Sequence, residues 1–406
     1  MKCQEGGLKM AIADKIHGFI DQASWIRRMF EDGLRMKQEF GADRVYDFSL
    51  GNPNIEPPDL FRRVLRDVVD EEIPGRHAYM ANAGYPETRA AVAAHVGAEQ
   101  GVPLTAEHVV MTCGAGAALN VVLKTLLNPG EKVLVPVPYF AEYRFYIDNA
   151  GGVLCPVETA ADHALDPGTI GRALDLNPEV KAVLINSPNN PTGKVYPSAS
   201  LAELIRLMND KSREWGREVY LVSDEPYREI VYDGVKTPPV LSAYPDSIVV
   251  NSYSKSLSLP GERIGYIAAS PELRPLKELL DGMILCNRIL GFVNAPALMQ
   301  RVIARLQGAR VDVAAYQRKR DLLCDGLTAA GYAVSRPEGA FYLFPKTPIP
   351  DDVAFVRLLQ SKRILAVPGV GFGRPGHMRI AYCVADRTIT DALEGFGEAL
   401  REAQGG

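Results

Sequence analysis

The stretch 251–266, NSYSKSLSLPGERIGY, sets one lysine, Lys255, among serines and brings a second cation, Arg263, eight residues later across a Pro-Gly turn. A lysine becomes a nucleophile where burial or a neighbouring cation makes its neutral amine accessible, and it can then condense with an aldehyde to a Schiff base. The apolar run from Ser247 delivers Lys255 at a strand end, and Ser252 and Arg263 frame it. That setting favours nucleophilic chemistry over a solvated surface lysine.

Further stretches place polar groups at similar strand ends. Asp224 and Tyr227 form an Asp-x-x-Tyr pair in YLVSDEPY, and Asn190 lies in the turn string NNPTG. In VVMTCGAGAALN, Gly114, Ala115 and Gly116 mark a strand, tight loop and helix start, where free backbone N–H groups and a helix N-terminus suit a phosphate. The same string departs from the dinucleotide fingerprint Gly-x-Gly-x-x-Gly, because its last position is Leu119 and no acidic residue ends the next strand, VLV. Arg379 sits in GHMRIAY, on an expected short strand. Each motif taken singly has an ordinary structural reading as a turn, a packed residue or a surface charge.

In this order and combination, roughly from Asp47 to Tyr382, the residues resemble class I/II aminotransferases, the aspartate aminotransferase-like fold-type I enzymes that use pyridoxal 5'-phosphate. The resemblance implies that Lys255 condenses with the cofactor aldehyde, while Ser252, Arg263 and the Gly114, Ala115 and Gly116 amides hold the cofactor. Asp224 would keep the pyridine nitrogen protonated, making the ring an electron sink, and Tyr227 and Asn190 would meet its phenolic oxygen. Phe140 would stack on the ring, with Tyr139 as the alternative. Arg379 would bind the substrate α-carboxylate in a pocket lined by Gly51. Arg288 aligns, with one inserted residue, with an arginine that grips a distal carboxylate from the other subunit in aspartate-using relatives. Tyr79 matches a tyrosine that reaches the neighbouring subunit's phosphate, which implies a homodimer.

The activity implied is transamination of an L-amino acid with a 2-keto acid, with aspartate and 2-oxoglutarate as one pairing. The same cofactor frame also supports a C–S β-lyase. A non-enzymatic regulator with an aminotransferase-like domain is a further reading, but the segment before Tyr46 supplies no evident DNA-binding unit.

To bring these motifs together the chain needs a sheet. Strands are expected at VVM from Val109, VLV from Val133, Val180 to Ile185, Val219 to Val222 and IVV from Ile248, alternating with helical stretches. Each ends in one of the loops above, and in an open parallel sheet such loops converge beyond the carboxyl ends of the strands. The fold class expected is α/β, a mostly parallel sheet flanked by helices, with a smaller α+β domain. The boundaries are 1–54 for an N-terminal helix (Asp14 to about Phe40) and a segment joining the small domain, 55–300 for the cofactor-binding domain and 301–406 for the small domain. No internal repeat or low-complexity tract interrupts them.

Composition narrows the class further. The chain has 406 residues, a formal net charge of −4 and a pI near 6.0, without a dense Lys/Arg run, which argues against nucleic acid or membrane surfaces as partners. The six cysteines include no C-x-x-C pair, so neither a disulfide framework nor a zinc site is expected, and a reducing cytoplasm fits. The first fifteen residues lack the apolar core of a signal peptide, and Met10 is an alternative start.

Overall fold

Runs of Val, Ile and Leu shielded on both faces build the centre of the molecule, as a parallel sheet between two helical layers requires. The structure, a computed structural model, describes residues 12–21 and 25–405; Cys3, Met10 and most of the charge-mixed leader lie outside the described residues. In chain order the strands are β1 (Tyr46–Asp47), β2 (Val109–Thr112), β3 (Lys132–Val137), β4 (Val153–Glu158), β5 (Val180–Asn186) and β6 (Tyr220–Asp224). They continue with β7 (Ser247–Ser252), β8 (Gly265–Ala269), β9 (Tyr342–Leu343), β10 (Ile364–Leu365), β11 (Val367–Pro368) and β12 (Met378–Ala381).

Seven of them form one sheet in the order β2-β8-β7-β6-β5-β3-β4, parallel throughout except for β8, which runs antiparallel to both neighbours. The five expected strands are all present. β4 and β8 were not among them, for identifiable reasons: β4 is a largely exposed edge strand carrying Pro156, and β8, GYIAA, is rich in small residues. The reversal at β8 matters for the site. Gly265 pairs with both Thr112 and Ser252, so the start of β8 lies at the carboxyl ends of β2 and β7.

A separate core, including Phe341, Phe355, Phe372, Ile380 and Phe396, gathers the C-terminal elements. There β11-β12-β9 form an antiparallel sheet and β1 pairs with β10 in parallel, beside the helices Val313–Ala329, Asp352–Ser361 and Asp386–Ala403. The expected N-terminal helix is described in two parts, Asp14–Asp21 and Trp25–Phe40, and residues 22–24 between them lie outside the described residues. Helix Asp14–Asp21 packs toward the large sheet, Phe19 lying edge-on to Phe145 at 4.9 Å and Lys15 pairing with Asp148. Helix Trp25–Phe40 instead seats Met29 in the C-terminal core and ties Lys37 to Asp47 at 2.6 Å.

Candidate functional site

Parallel strands point their carboxyl ends the same way, so loops far apart in sequence meet at one edge of the sheet. The cavity there, of about 300 Å³, is lined by Ala115 and Gly116 after β2, Phe140 after β3, Asn190 after β5, Tyr227 after β6, and Ser252 and Lys255 at and beyond the end of β7. Gly51, Asp224, Arg263 and Arg379 line it too.

The loop after β7 explains the pairing of Lys255 with Arg263. The chain makes a short helix, Tyr253–Ser256, then a 3-10 turn, Pro260–Glu262, and enters β8 beside the strand it has just left. Arg263 closes that turn in the left-handed region at φ 50°, a conformation costing a non-glycine residue about 1 kcal/mol or more. Its guanidinium lies against Gly114, where a Cβ would come within 2.9 Å of Nη2. Gly114, itself at φ 81°, opens helix Gly114–Leu126, whose N-terminal amides and positive dipole end face the same space.

Lys255 donates from Nζ to the Gly51 carbonyl at 2.8 Å and lies 5.5 Å from the Phe341 ring. Its pKa falls from 10.5 to about 8: withdrawal of the amine from water is the main cause, Arg379 and Arg263 push the same way, and Cys383 opposes them. The composition of the loop suggests Arg263 as the cation that matters; burial matters more, and Arg379 joins it.

Asp224 ends β6, almost fully enclosed. Tyr143 donates to its Oδ2 at 2.6 Å, whereas its Oδ1 is buried with no partner among the described residues. Burial lifts its pKa from 3.8 to about 7 against that hydrogen bond, with Glu225 adding to the rise. Asn186 ties the ends of β5 and β6 together: its Nδ2 donates to the Asp224 carbonyl at 2.8 Å, and its Oδ1 accepts from the Asn190 N–H at 2.7 Å.

Arg379, only 2 % exposed, comes from β12. Its Nη1 donates to Asn190 Oδ1 at 3.1 Å and its Nη2 to the Ser49 carbonyl at 2.6 Å, and Nε is buried with no partner among the described residues. The Tyr342 and Phe372 rings each lie 4.8 Å from the guanidinium carbon.

A carboxyl oxygen without a partner, an amine of lowered pKa, the amides of a helix start beside an arginine, and a guanidinium N–H without a partner among the described residues together fit pyridoxal phosphate and an amino acid. Phe140 lines the cavity, while Tyr139 lies outside its lining, against Gly373. Tyr79 and Arg288 are not brought to this cavity; Tyr79 is 91 % exposed and Arg288 lies on the exposed side of helix Leu276–Ile289. Tyr143, Tyr342 and Asn186 were missed from the sequence. Tyr143 stands in an aromatic-rich loop, PYFAEY, and Asn186 ends a buried strand, which is the only local signal either gives.

Comparison with known proteins gives concordant results. The family model described as aminotransferase class I and II matches residues 44–396. The chain is 34 % identical to an aspartate/prephenate aminotransferase of Thermus thermophilus over 371 residues, covering 89 % of this chain and 92 % of that one. Among solved structures, an amino transferase from Eubacterium rectale superposes with a TM-score of 0.93 at 37 % identity, covering 97 % of this chain and 99 % of the other. The Thermus thermophilus aspartate aminotransferase with maleate superposes at 0.84, with 30 % identity over 97 % of this chain and all of the other.

Proposed function

Because the chain belongs to the class I and II aminotransferases, we propose that its site moves the amino group of aspartate to 2-oxoglutarate. The reaction class comes with the family: the enzyme is a pyridoxal-phosphate-dependent aminotransferase. The carrying observation is that one cavity holds both an amine of lowered pKa, Lys255, and a buried guanidinium with an unpartnered N–H, Arg379. When bound, the cofactor supplies an aldehyde for the incoming amine and a ring that accepts the electron pair released at the substrate α-carbon.

The residues divide the remaining work. Arg379 binds the α-carboxylate through its planar fork, held in place by Asn190 and the Ser49 carbonyl. With its Oδ1 engaged by Arg379, Asn190 keeps its Nδ2 for the phenolic oxygen beside Tyr227. Asp224, through the Oδ1 that is buried without a partner among the described residues, would accept from the cofactor's ring nitrogen, whose positive charge would offset the cost of burying the carboxylate. Lys255 Nζ, with a pKa about 8, takes the proton from the α-carbon as a general base near neutral pH. Arg263, Ser252 and the amides after Cys113 hold the phosphate.

The choice of a dicarboxylic donor rests on the relatives, one named for aspartate and prephenate and one solved with maleate, a dicarboxylate. Arg288 would meet the distal carboxylate from a second subunit. In support of a homodimer, Tyr79 and the apolar Leu285, Ile289 and Leu290 are all exposed, and Asn287, in the helix Leu276–Ile289, donates to the carbonyl of Asn82, three residues after Tyr79, at 3.0 Å. The five described cysteines are unpaired, and no described helix is long and apolar enough to cross a membrane; the free thiols support a cytoplasmic site of action.

An amino-donor screen against 2-oxoglutarate tests the reading. Aspartate should exceed alanine and phenylalanine in kcat/KM by about tenfold or more, as a second charged contact supplies; a monocarboxylic donor that matches it overturns the assignment. Pyruvate and ammonia released from a cysteine conjugate faster than amino transfer would favour the lyase. Light scattering at twice 44.3 kDa checks the dimer.

A further inference from the structure

Tyr342 stands between the two ends of the site. It lies on β9, paired opposite Ala381 of β12, so the two-residue period of a strand puts it diagonally beside Arg379 on one face of that small sheet. Its ring lies 4.8 Å from the Arg379 guanidinium, and its hydroxyl lies 2.8 Å from the Tyr227 hydroxyl. The rings of the two tyrosines meet edge-on at 5.6 Å. Gly51 makes room for this arrangement: a Cβ at position 51 would overlap the Tyr342 hydroxyl outright, while the Gly51 carbonyl accepts from Lys255.

We infer that Tyr342 is a positioning residue, which orients the Tyr227 hydroxyl toward the cofactor's phenolic oxygen and supports Arg379 beneath the substrate carboxylate. The inference rests on the aminotransferase reading above and goes beyond the roles that reading assigns. Two phenols at hydrogen-bond distance share a single proton between them, and each has only one to give. If Tyr227 donates to the phenolic oxygen, Tyr342 must donate to Tyr227, and a hydroxyl that accepts a hydrogen bond becomes a stronger donor. The charged or titratable groups that act on the pair include Asp224, Arg379, Cys383, Tyr143 and Tyr316; among the described residues none of them donates to the Tyr227 oxygen, and the Tyr143 hydroxyl donates to Asp224 instead. The same side chain thereby links the state of the cofactor oxygen to the seat of the substrate carboxylate.

The test uses the cofactor-loaded enzyme and its Tyr342→Phe, Tyr342→Leu and Tyr227→Phe variants. The readouts are the pH midpoint of the bound cofactor's visible absorbance and the donor KM. A hydrogen bond to an anionic oxygen draws off charge that otherwise helps hold a neighbouring proton, so weakening it raises the midpoint. Tyr342→Phe should raise it by about 0.5 pH unit, with Tyr227→Phe raising it further and the donor KM of Tyr342→Phe within about twofold of the parent. Tyr342→Leu, which also removes the ring, should raise the KM about fivefold. A shift in Tyr227→Phe without one in Tyr342→Phe overturns the coupling and leaves the aminotransferase reading intact. No shift in either removes the role of Tyr227 and the inference with it. An unchanged KM in Tyr342→Leu overturns the support of Arg379.

Discussion

Tyr143 donates to one oxygen of Asp224 at 2.6 Å, and the other oxygen is buried without a partner among the described residues. The carboxylate is thus oriented from behind and left open in front. Replacing Tyr143 by Phe removes a side-chain donor that favours the ionised form, so the Asp224 pKa, near 7 in the cofactor-free protein, should rise further. The same loss acts in the loaded enzyme, where the charge on the ring nitrogen lowers both values. Less of the carboxylate is then ionised at neutral pH. Turnover at pH 7 should fall roughly tenfold, the scale of one hydrogen bond to a charged group, and the acid limb of kcat/KM against pH should move upward. A limb that stays in place would reduce Tyr143 to a packing residue.

Asp224→Asn should separate stability from function. The folded-state pKa of Asp224 lies above its unfolded value of 3.8, so the folded chain binds more protons between pH 3.8 and about 7, and stability falls as pH rises through that window. Above pH 7 the penalty for the buried carboxylate is fully present, on the order of 4 kcal/mol for a shift of this size. The asparagine variant escapes it. Its cofactor-free form should melt higher than the parent at pH 8, with the gap closing toward pH 4, while aminotransferase turnover drops by at least about 100-fold because the ring nitrogen loses its anionic partner. Paired melting curves at the two pH values, with one activity assay, check both halves.

A pKa about 8 for Lys255 makes a kinetic prediction for the cofactor-free protein. An amine-reactive reagent should modify one lysine with a rate that rises to a plateau through pH 8, more than two units below an ordinary lysine. Lys255→Ala should lose that phase. Arg379→Gln should move its midpoint upward, since a cation that opposes protonation is gone; a midpoint near 10.5 in the parent protein would refute the lowered pKa.

The large sheet was legible because its central strands are dense runs of β-branched and aliphatic residues closed by polar loops, and the position of Lys255 followed from the strand before it. β8 was not legible, since GYIAA carries little apolar bulk and its direction depends on pairing with β2 and β7. That reversal is what returns Arg263 to Gly114 at the edge of the cavity. The motif residues Asp224, Asn190 and Arg379 could be named from their order in the chain. Tyr143 and Tyr342 could not, because what distinguishes them is a contact across 81 and 115 residues.

Arg379→Lys tests the recognition of the substrate. The guanidinium is held in one plane by Asn190 Oδ1 at 3.1 Å and the Ser49 carbonyl at 2.6 Å, near two aromatic rings. A lysine keeps the charge and loses the fork, so it cannot keep these two anchors and present parallel N–H groups to a carboxylate. The donor KM should rise about 10- to 100-fold, the equivalent of one to two charge-assisted hydrogen bonds, with a smaller fall in kcat. Asn190→Ala should raise KM less, because Ser49 still holds one arm of the fork. Steady-state kinetics with several amino donors distinguish this from a loss of side-chain specificity: the KM increase should be the same for every donor, since all share the α-carboxylate, and a KM unchanged for any of them would remove Arg379 from that contact.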